Sequence, residues 1–434
     1  MKKFIAILIL GLFTNLSFST DYPVKSADEI KKLKLVPGDK VIMQEGVWKD
    51  QVITLKGNGT EEKPIILTTA NPGKVTLTGN STLKIDGEFL IVDGLYFTDG
   101  FSTDKDVIDF SKTSSNCRVT NSSILNYSNP DKSVDYKWVS LHGTNNRVDH
   151  SSFTGKTHQG TLLVVWLDEN PNYHQIDNNY FGPRPPLDGN GGEIIRVGTS
   201  DWSMSDSFSK IENNIFDNCD GETEIVSIKS GRNLISNNLF YECDGTLTLR
   251  HGNGNEVSYN YFIGNQKANT GGIRIIGENH IIHDNYLHGL AGTNLRAAIS
   301  VMNAVTNPEL KEYWQVKNTK IYNNMMVECK EAITLCSGKS DTRIVVPDGL
   351  AIHNNFVINC KKPLTKKDNP KNLIIKDNEL KGSEESVEGF VSSNTKYKIS
   401  ERMWSVKGQE RKPFWETDKI GANWILHEFS VKIK

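Results

Sequence analysis

The chain lacks an excess of charge of either sign. Over 434 residues, 50 Lys and Arg face 52 Asp and Glu, a net of −2 with His neutral. Nothing in that balance draws in nucleic acid, and an anionic ligand would have to be held by a local cluster of cations. Cysteine is scarce as well: six in a chain this long are too few for a disulfide scaffold, which is dense and short. Apolar runs long enough to span a bilayer are missing, and so, almost everywhere, is the 3.6-residue periodicity of amphipathic helices. With 37% hydrophobic and 24% charged residues, the composition also excludes a disordered chain, collagen and a coiled coil. A folded, water-soluble protein remains.

The one short apolar run, residues 4–13, follows Lys2-Lys3 and precedes the small residues Ser17 and Ser19. That is the layout of a secretory leader, which predicts cleavage near residue 19 and an exported chain, periplasmic or secreted. No Cys stands directly after the leader, so a lipid anchor at the mature N-terminus is not expected. The expected organisation is a leader at 1–19 and one domain at 20–434, irregular from about 381 onward.

What is abundant is a repeat. A hydrophobic-x-(Asn/Asp)-Asn-x-hydrophobic hexapeptide recurs as IDNNYF (176–181), IENNIF (211–216), ISNNLF (235–240), VSYNYF (257–262), IHDNYL (282–287), IYNNMM (321–326), IHNNFV (352–357) and IKDNEL (375–380). Its marker residues, Asn179, Asn214, Asn238, Asn260, Asn285, Asn324, Asn355 and Asn378, advance by 35, 24, 22, 25, 39, 31 and 23 residues. A unit of 22 to 25 residues with loop insertions, built from short β-branched and aromatic runs between Asn, Asp and Gly, predicts an all-β parallel β-helix of three strands per coil. Equivalent residues would then stack at strand spacing, about 4.8 Å. The Asn should form an amide ladder while tolerating the turn. Cys219, Cys243, Cys329 and Cys360 each fall five residues after a marker and should form an interior stack of reduced thiols, although adjacent pairs could in principle bridge. At 26–35, Ser26 as N-cap with Glu29 three residues on predicts a short helix closing the open end of the solenoid. Trp404, Phe414, Trp415 and Trp424 suggest a terminal segment folded back over the other end or the flank.

One stretch departs from what a solenoid needs. Counted from their markers, Asn190 (+11), Glu222 (+8), Glu224 (+10), Lys229 (+15), Arg250 (+12), His251 (+13) and Arg274 (+14) have similar offsets on consecutive coils and should share one wall. Glu222 and Glu224, two apart on a predicted strand, would leave the same face, and their repulsion needs a counter-charge. Calcium with Asn190 as a third oxygen donor would supply it, and a pair of surface Glu balanced by Lys or Arg would do so equally. Lys229 and Arg250 lie 21 residues apart, nearly one coil. A Lys beside a guanidinium has its neutral, proton-accepting form favoured, and Arg can stabilise a departing oxygen.

The segments NGGEIIRVGTS (190–200), GETEIVSIKSGRN (221–233), GTLTLRHGNGN (245–255) and GGIRIIG (271–277) resemble the active-site coils of polysaccharide lyase family six, which includes alginate lyases and chondroitinase B. The resemblance runs from Pro37-Gly38-Asp39 to near the end of the chain. It implies a right-handed parallel β-helix and β-elimination on uronate polymers, alginate above dermatan sulfate, with Lys229 as base and Arg250 as acid. It further implies Ca2+ on Asn190, Glu222 and Glu224, and substrate contacts from Arg184, Arg196, His251 and Arg274. An anionic polysaccharide is the expected partner, with no nucleic acid and no membrane, and the chain is expected to act as a monomer. A pectin-type hydrolase on the same scaffold would need clustered Asp instead. A non-catalytic carbohydrate-binding β-helix would not need the specialised wall.

Overall fold

The computed structural model describes residues 19–187, 189–383, 386–393, 404–406, 409–411, 413–425 and 430–432. The predicted leader lies outside the described residues, apart from residue 19, and so do the side chain of Trp404 and its neighbours.

Short strands of two to seven residues stack into three parallel sheets of 14, 12 and 14 strands, here sheets one, two and three. A representative coil runs Glu224–Lys229 in sheet two, Leu234–Ser236 in sheet one and Leu239–Tyr241 in sheet three, and the next coil re-enters sheet two at Gly245–His251. Each strand pairs in register with its equivalent one coil on, as Ile211 with Ile235 and Phe216 with Phe240. The predicted parallel β-helix is therefore present, with alternate residues filling its interior. In sheet two, Ile195, Val226, Leu247, Ile273, Ile299 and Ile333 form one such inward column, every member fully buried. In sheet three, Phe153, Phe181, Phe216, Phe240 and Phe262 stack ring on ring at 5.4, 5.1, 4.6 and 4.6 Å. Each buried ring is worth about 1.5–3 kcal/mol in removed apolar surface.

The repeated hexapeptide forms the corner between sheets one and three. From Asn179 to Asn355, each marker amide donates from Nδ2 to the Oδ1 of the next at 2.9–3.0 Å, and the same oxygen accepts the preceding Asn's main-chain N–H. All eight markers are fully buried. The expectation that one Asn also tolerates the turn is corrected: the residue before each marker takes the left-handed conformation, among them Asn213 (φ 55°), Asn237 (φ 53°) and Asp284 (φ 54°). The paired Asn/Asp-Asn of the motif thus divides the labour, the first residue bending the chain and the second satisfying buried polar groups. A second ladder, which the sequence reading missed, mixes residue types. Cys117 N donates to Asn146 Oδ1, Asn146 N to His174 Nδ1, Asn233 N to Asn255 Oδ1 and Asn255 N to His280 Nδ1.

All six thiols are free and buried. The expected stack is present, with Cys219 N donating to Cys243 Sγ at 3.5 Å and Cys329 N to Cys360 Sγ at 3.3 Å. The N-terminal helix is shorter than the 26–35 segment suggested: it spans Ala27–Lys32, is capped by Ser26 Oγ, and ends where Leu33 turns extended. The C-terminal segment covers a flank rather than an end. Phe414, Trp415, Ile420 and Val431 pack on the outward face of sheet three. Beyond them, Ala422 N reaches Ser152 Oγ (2.8 Å) and Trp424 Nε1 reaches Asn121 O (2.9 Å), some 300 residues back along the chain.

Candidate active site

The outward face of sheet two carries the site. Strand alternation puts Arg196, Ser227, Thr248 and Arg274 in one register row, so two guanidinium groups flank two small, fully buried hydroxyl residues. At the end of Glu224–Lys229 the register shifts, and Lys229 pairs with His251 rather than with Arg250. This bulge leaves Arg250 as the extra residue, aimed into the cleft beside Lys229, a common use of bulges near active sites.

The cleft has a volume of about 620 Å3, and its lining includes Asn190, Glu222, Glu224, Lys229, Arg250, Arg274 and Arg196. The one-wall expectation therefore holds for Asn190, Glu222, Glu224, Lys229, Arg250 and Arg274; His251 does not line the cleft, and Arg196, named only by the resemblance, does. Glu222 does not lie on the strand as read from its spacing. It sits in the turn before Glu224, held by the main-chain N–H groups of Gly191 (3.0 Å) and Gly192 (3.2 Å) on its Oε2.

The two acids are electrostatically unlike. Burial pushes Glu222 up to about 7, with Glu193 and Glu224 adding repulsion that the two amides only partly offset. Burial would also raise Glu224, but Arg274, the Ser227 hydroxyl, Arg250 and Lys229 outweigh it and hold that carboxyl below its ordinary value. The geometry agrees: Arg274 Nη2 lies 3.0 Å from Glu224 Oε1, Ser227 Oγ 2.5 Å from Oε2, and Arg250 Nε 3.8 Å from Oε1.

Arg250 is further fixed by a loop from a later coil. Its Nη2 donates to Lys311 O (2.9 Å), its Nη1 to Glu312 O (3.1 Å), and its guanidinium lies 4.3 Å from the ring centre of Tyr313. Burial lowers its pKa, which Glu224 opposes.

Two expected substrate contacts are corrected. His251 is 1% exposed and faces Arg250 Nη1 through Nε2 at 2.9 Å. Burial, then Arg250 and Lys229, depress it to about 4, so the ring is neutral and accepts from Arg250, orienting that residue from behind the cleft. Arg184 is 2% exposed, because its guanidinium is consumed by main-chain carbonyls beneath the cleft. Sequence reasoning missed Glu193 and Tyr313, both of which line the cleft. Glu193 was available as the third acid near Asn190; Tyr313 lies on an insertion with no repeat register to place it.

A family model described as Chondroitinase B matches residues 24–419. The chain belongs to this family, polysaccharide lyase family six. Among solved structures of family six, it is 40% identical to the alginate lyase AlyGC, with a TM-score of 0.83 over 93% of this chain and 57% of that one, so it spans little more than half of AlyGC's length. It is 30% identical to a mannuronic acid specific family 6 lyase from human gut microbiota, TM-score 0.82, covering 94% of this chain and 97% of that one. To the family six lyase Pedsa3628 from Pseudopedobacter saltans it is 26% identical, TM-score 0.71, over 95% and 98%. No curated protein matches the chain.

The resemblance to family six raises the question of calcium, and the donor set fits a hard divalent cation. Glu193, Glu222 and Glu224 line one cleft; Arg274 and Arg250 approach Glu224, and Arg196 Nη1 lies 4.0 Å from Glu193 Oε1, whereas Glu222 has no ion pair among the described residues. Glu222, pushed up to about 7, is a carboxylate lacking a counter-charge. Among the described residues no three His, Cys, Asp or Glu make a metal cluster by themselves; Asn190, which lines the same cleft, is a further oxygen donor of the kind calcium takes.

Proposed function

We propose that this protein is an exported lyase that cleaves alginate by calcium-assisted β-elimination. The observation that carries the reading is the bulge that brings Lys229 and Arg250 side by side opposite the Glu222–Glu224 carboxylates, in a cleft of a family six chain. Support for alginate comes from the solved relatives named as alginate lyases; support for export comes from the leader-like residues 1–19.

In the proposed reaction, Arg196 and Arg274 hold the uronate carboxylates and orient the sugar in the cleft. Lys229 Nζ takes the C5 proton. The C5–H electron pair forms the C4=C5 double bond, the C4–O4 bond breaks with its pair going to oxygen, and Arg250 Nη–H protonates O4, regaining its proton from solvent. Calcium, held by Asn190, Glu222 and Glu224, would neutralise the substrate carboxylate and so acidify C5–H. His251 and the Lys311–Tyr313 loop keep the Arg250 guanidinium aimed.

The test is to incubate the protein with polymannuronate, polyguluronate and dermatan sulfate and follow the ultraviolet absorbance of the conjugated unsaturated uronate. A rise with either alginate block supports the reading. A rise with dermatan sulfate alone transfers the activity to that polymer, and reducing ends without absorbance would indicate hydrolysis and reject elimination.

A further inference from the structure

Arg184 and Lys156 are basic side chains sealed inside the coil turns, 2% and 0% exposed, and in the described structure neither donates to a carboxylate. Arg184 Nη1 donates to Glu193 O (2.7 Å), and its Nη2 lies within reach of Gly191 O (2.9 Å), Gly160 O (3.0 Å) and His158 O (3.1 Å). Lys156 Nζ donates to His158 Nε2 (2.5 Å), Tyr136 O (3.1 Å) and Gln159 O (3.2 Å). Together they gather carbonyls from two successive turns, the one around 158–160 and the one around 191–193, into a single polar knot. A buried cation is costly unless its donors are used, so the knot has essentially one arrangement.

That arrangement fixes the peptide between Gly191 and Gly192: with Gly191 O drawn onto Arg184, the Gly192 N–H at its other end faces Glu222 Oε2, where the neighbouring Gly191 N–H joins it, and Asn190 is carried on the same turn. The crossing is tight: a Cβ at Gly192 would meet Gly221 O at 2.3 Å, and one at Gly221 would meet Gly192 O at 2.2 Å and the Arg184 stem at 3.0 Å. Arg184 therefore touches both the turn that carries Asn190 and the residue that precedes Glu222.

We propose that Arg184, supported by Lys156, is a positioning residue for the cation site: it folds the Asn190–Glu193 turn so that Asn190 and Glu222 face each other before any cation arrives. This deepens the calcium reading above and rests on it. The proposal separates from a purely electrostatic role by sign. Removing a positive charge near a cation site should tighten cation binding, whereas removing the clamp that shapes the site should weaken it.

Calcium titration by calorimetry on the wild type, Arg184→Met and Arg184→Lys provides the test, with circular dichroism as the fold check. A weakening of tenfold or more in both variants is expected, because Lys keeps the charge but cannot bridge several carbonyls. Unchanged or tighter binding in Arg184→Met overturns the proposal. Should the variants not fold, hydrogen exchange on the chelator-treated wild type decides: the Gly191 and Gly192 amides should be protected without calcium, and free exchange that slows only on adding calcium would mean that the cation, not Arg184, shapes the turn. A wild type that binds no calcium yet shows those amides protected would sink the cofactor reading and leave the clamp standing.

Discussion

Lys229 is the side chain on which turnover should hang most heavily. It projects from the solvent side of a strand whose inward neighbour, Ile228, does the packing, so truncation opens no cavity. Lys229→Ala is expected to lower kcat by about 10² to 10⁴ while leaving the melting temperature unchanged; retention of a tenth of the activity would remove it from the base role. Glu222 makes a second, independent case. Exhaustive chelation should abolish turnover and added calcium restore it, whereas Glu222→Gln, which keeps the shape but loses the charge, should stay inactive across the same calcium range. Full activity in chelator would instead assign the neutralising role to Arg250, Arg274 and Lys229. The places of Lys229 and Arg250 on one wall were legible in the sequence because offset from a repeat marker translates into a position along the coil. Arg184 was not, since a guanidinium bound to carbonyls and one bound to substrate look alike in sequence.

At the scale of the coil, the amide ladder should be a stability element with no catalytic effect. Asn260 accepts from both the main-chain and side-chain nitrogens of Asn238 and donates on to Asn285. Asn260→Ala strands several buried groups and should cost about 1–3 kcal/mol, read as a fall in urea midpoint with KM and kcat of the folded protein unmoved. The mixed ladder adds a pH dependence. His174 and His280 both accept a main-chain N–H at Nδ1, and burial depresses them to about 3 and about 4 from 6.5. The unfolded chain binds those protons first, so the contribution is complete above pH 6.5 and is lost as the pH falls from there toward 4. His280→Asn, which offers an uncharged acceptor, should flatten that loss in a denaturation series from pH 7.5 to 4; an unaltered slope would place the acid sensitivity elsewhere. The first ladder could be read from sequence because one residue type repeats along it. The second could not, because Asn and His take the same acceptor position and no single letter recurs.

For the molecule as a whole, the segment 413–425 changes the kind of stability the solenoid has. A stack of coils touching only their neighbours frays from its ends, but here a C-terminal strap is pinned to coils near Tyr96, Asn121 and Ser152 as well as to Tyr261 in the middle, through Trp415 at 4.8 Å. Distant coils are thereby made to unfold together. A chain ending at residue 412 should melt earlier and over a broader range, since it exposes the outward faces of Tyr180, Ile215 and Tyr261. Its activity per folded molecule should persist, because sheet two lies on another side of the coil. A sharp, unshifted melt would show the strap to be ornamental. The sequence indicated that this segment covers something, from its Trp and Phe content. It could not say what, because contacts some 300 residues apart leave no periodic trace.

The register row Arg196, Ser227, Thr248, Arg274 has a consequence for redesign. Ser227 and Thr248 stand between the two guanidinium groups, one residue per coil, and both are fully buried. Arg196 and Arg274 are thus three coil steps apart, about 14 Å at strand spacing, and that separation can be changed only by whole coils. An anionic chain laid along the groove is measured against it as though the solenoid were a rule with coil-wide divisions.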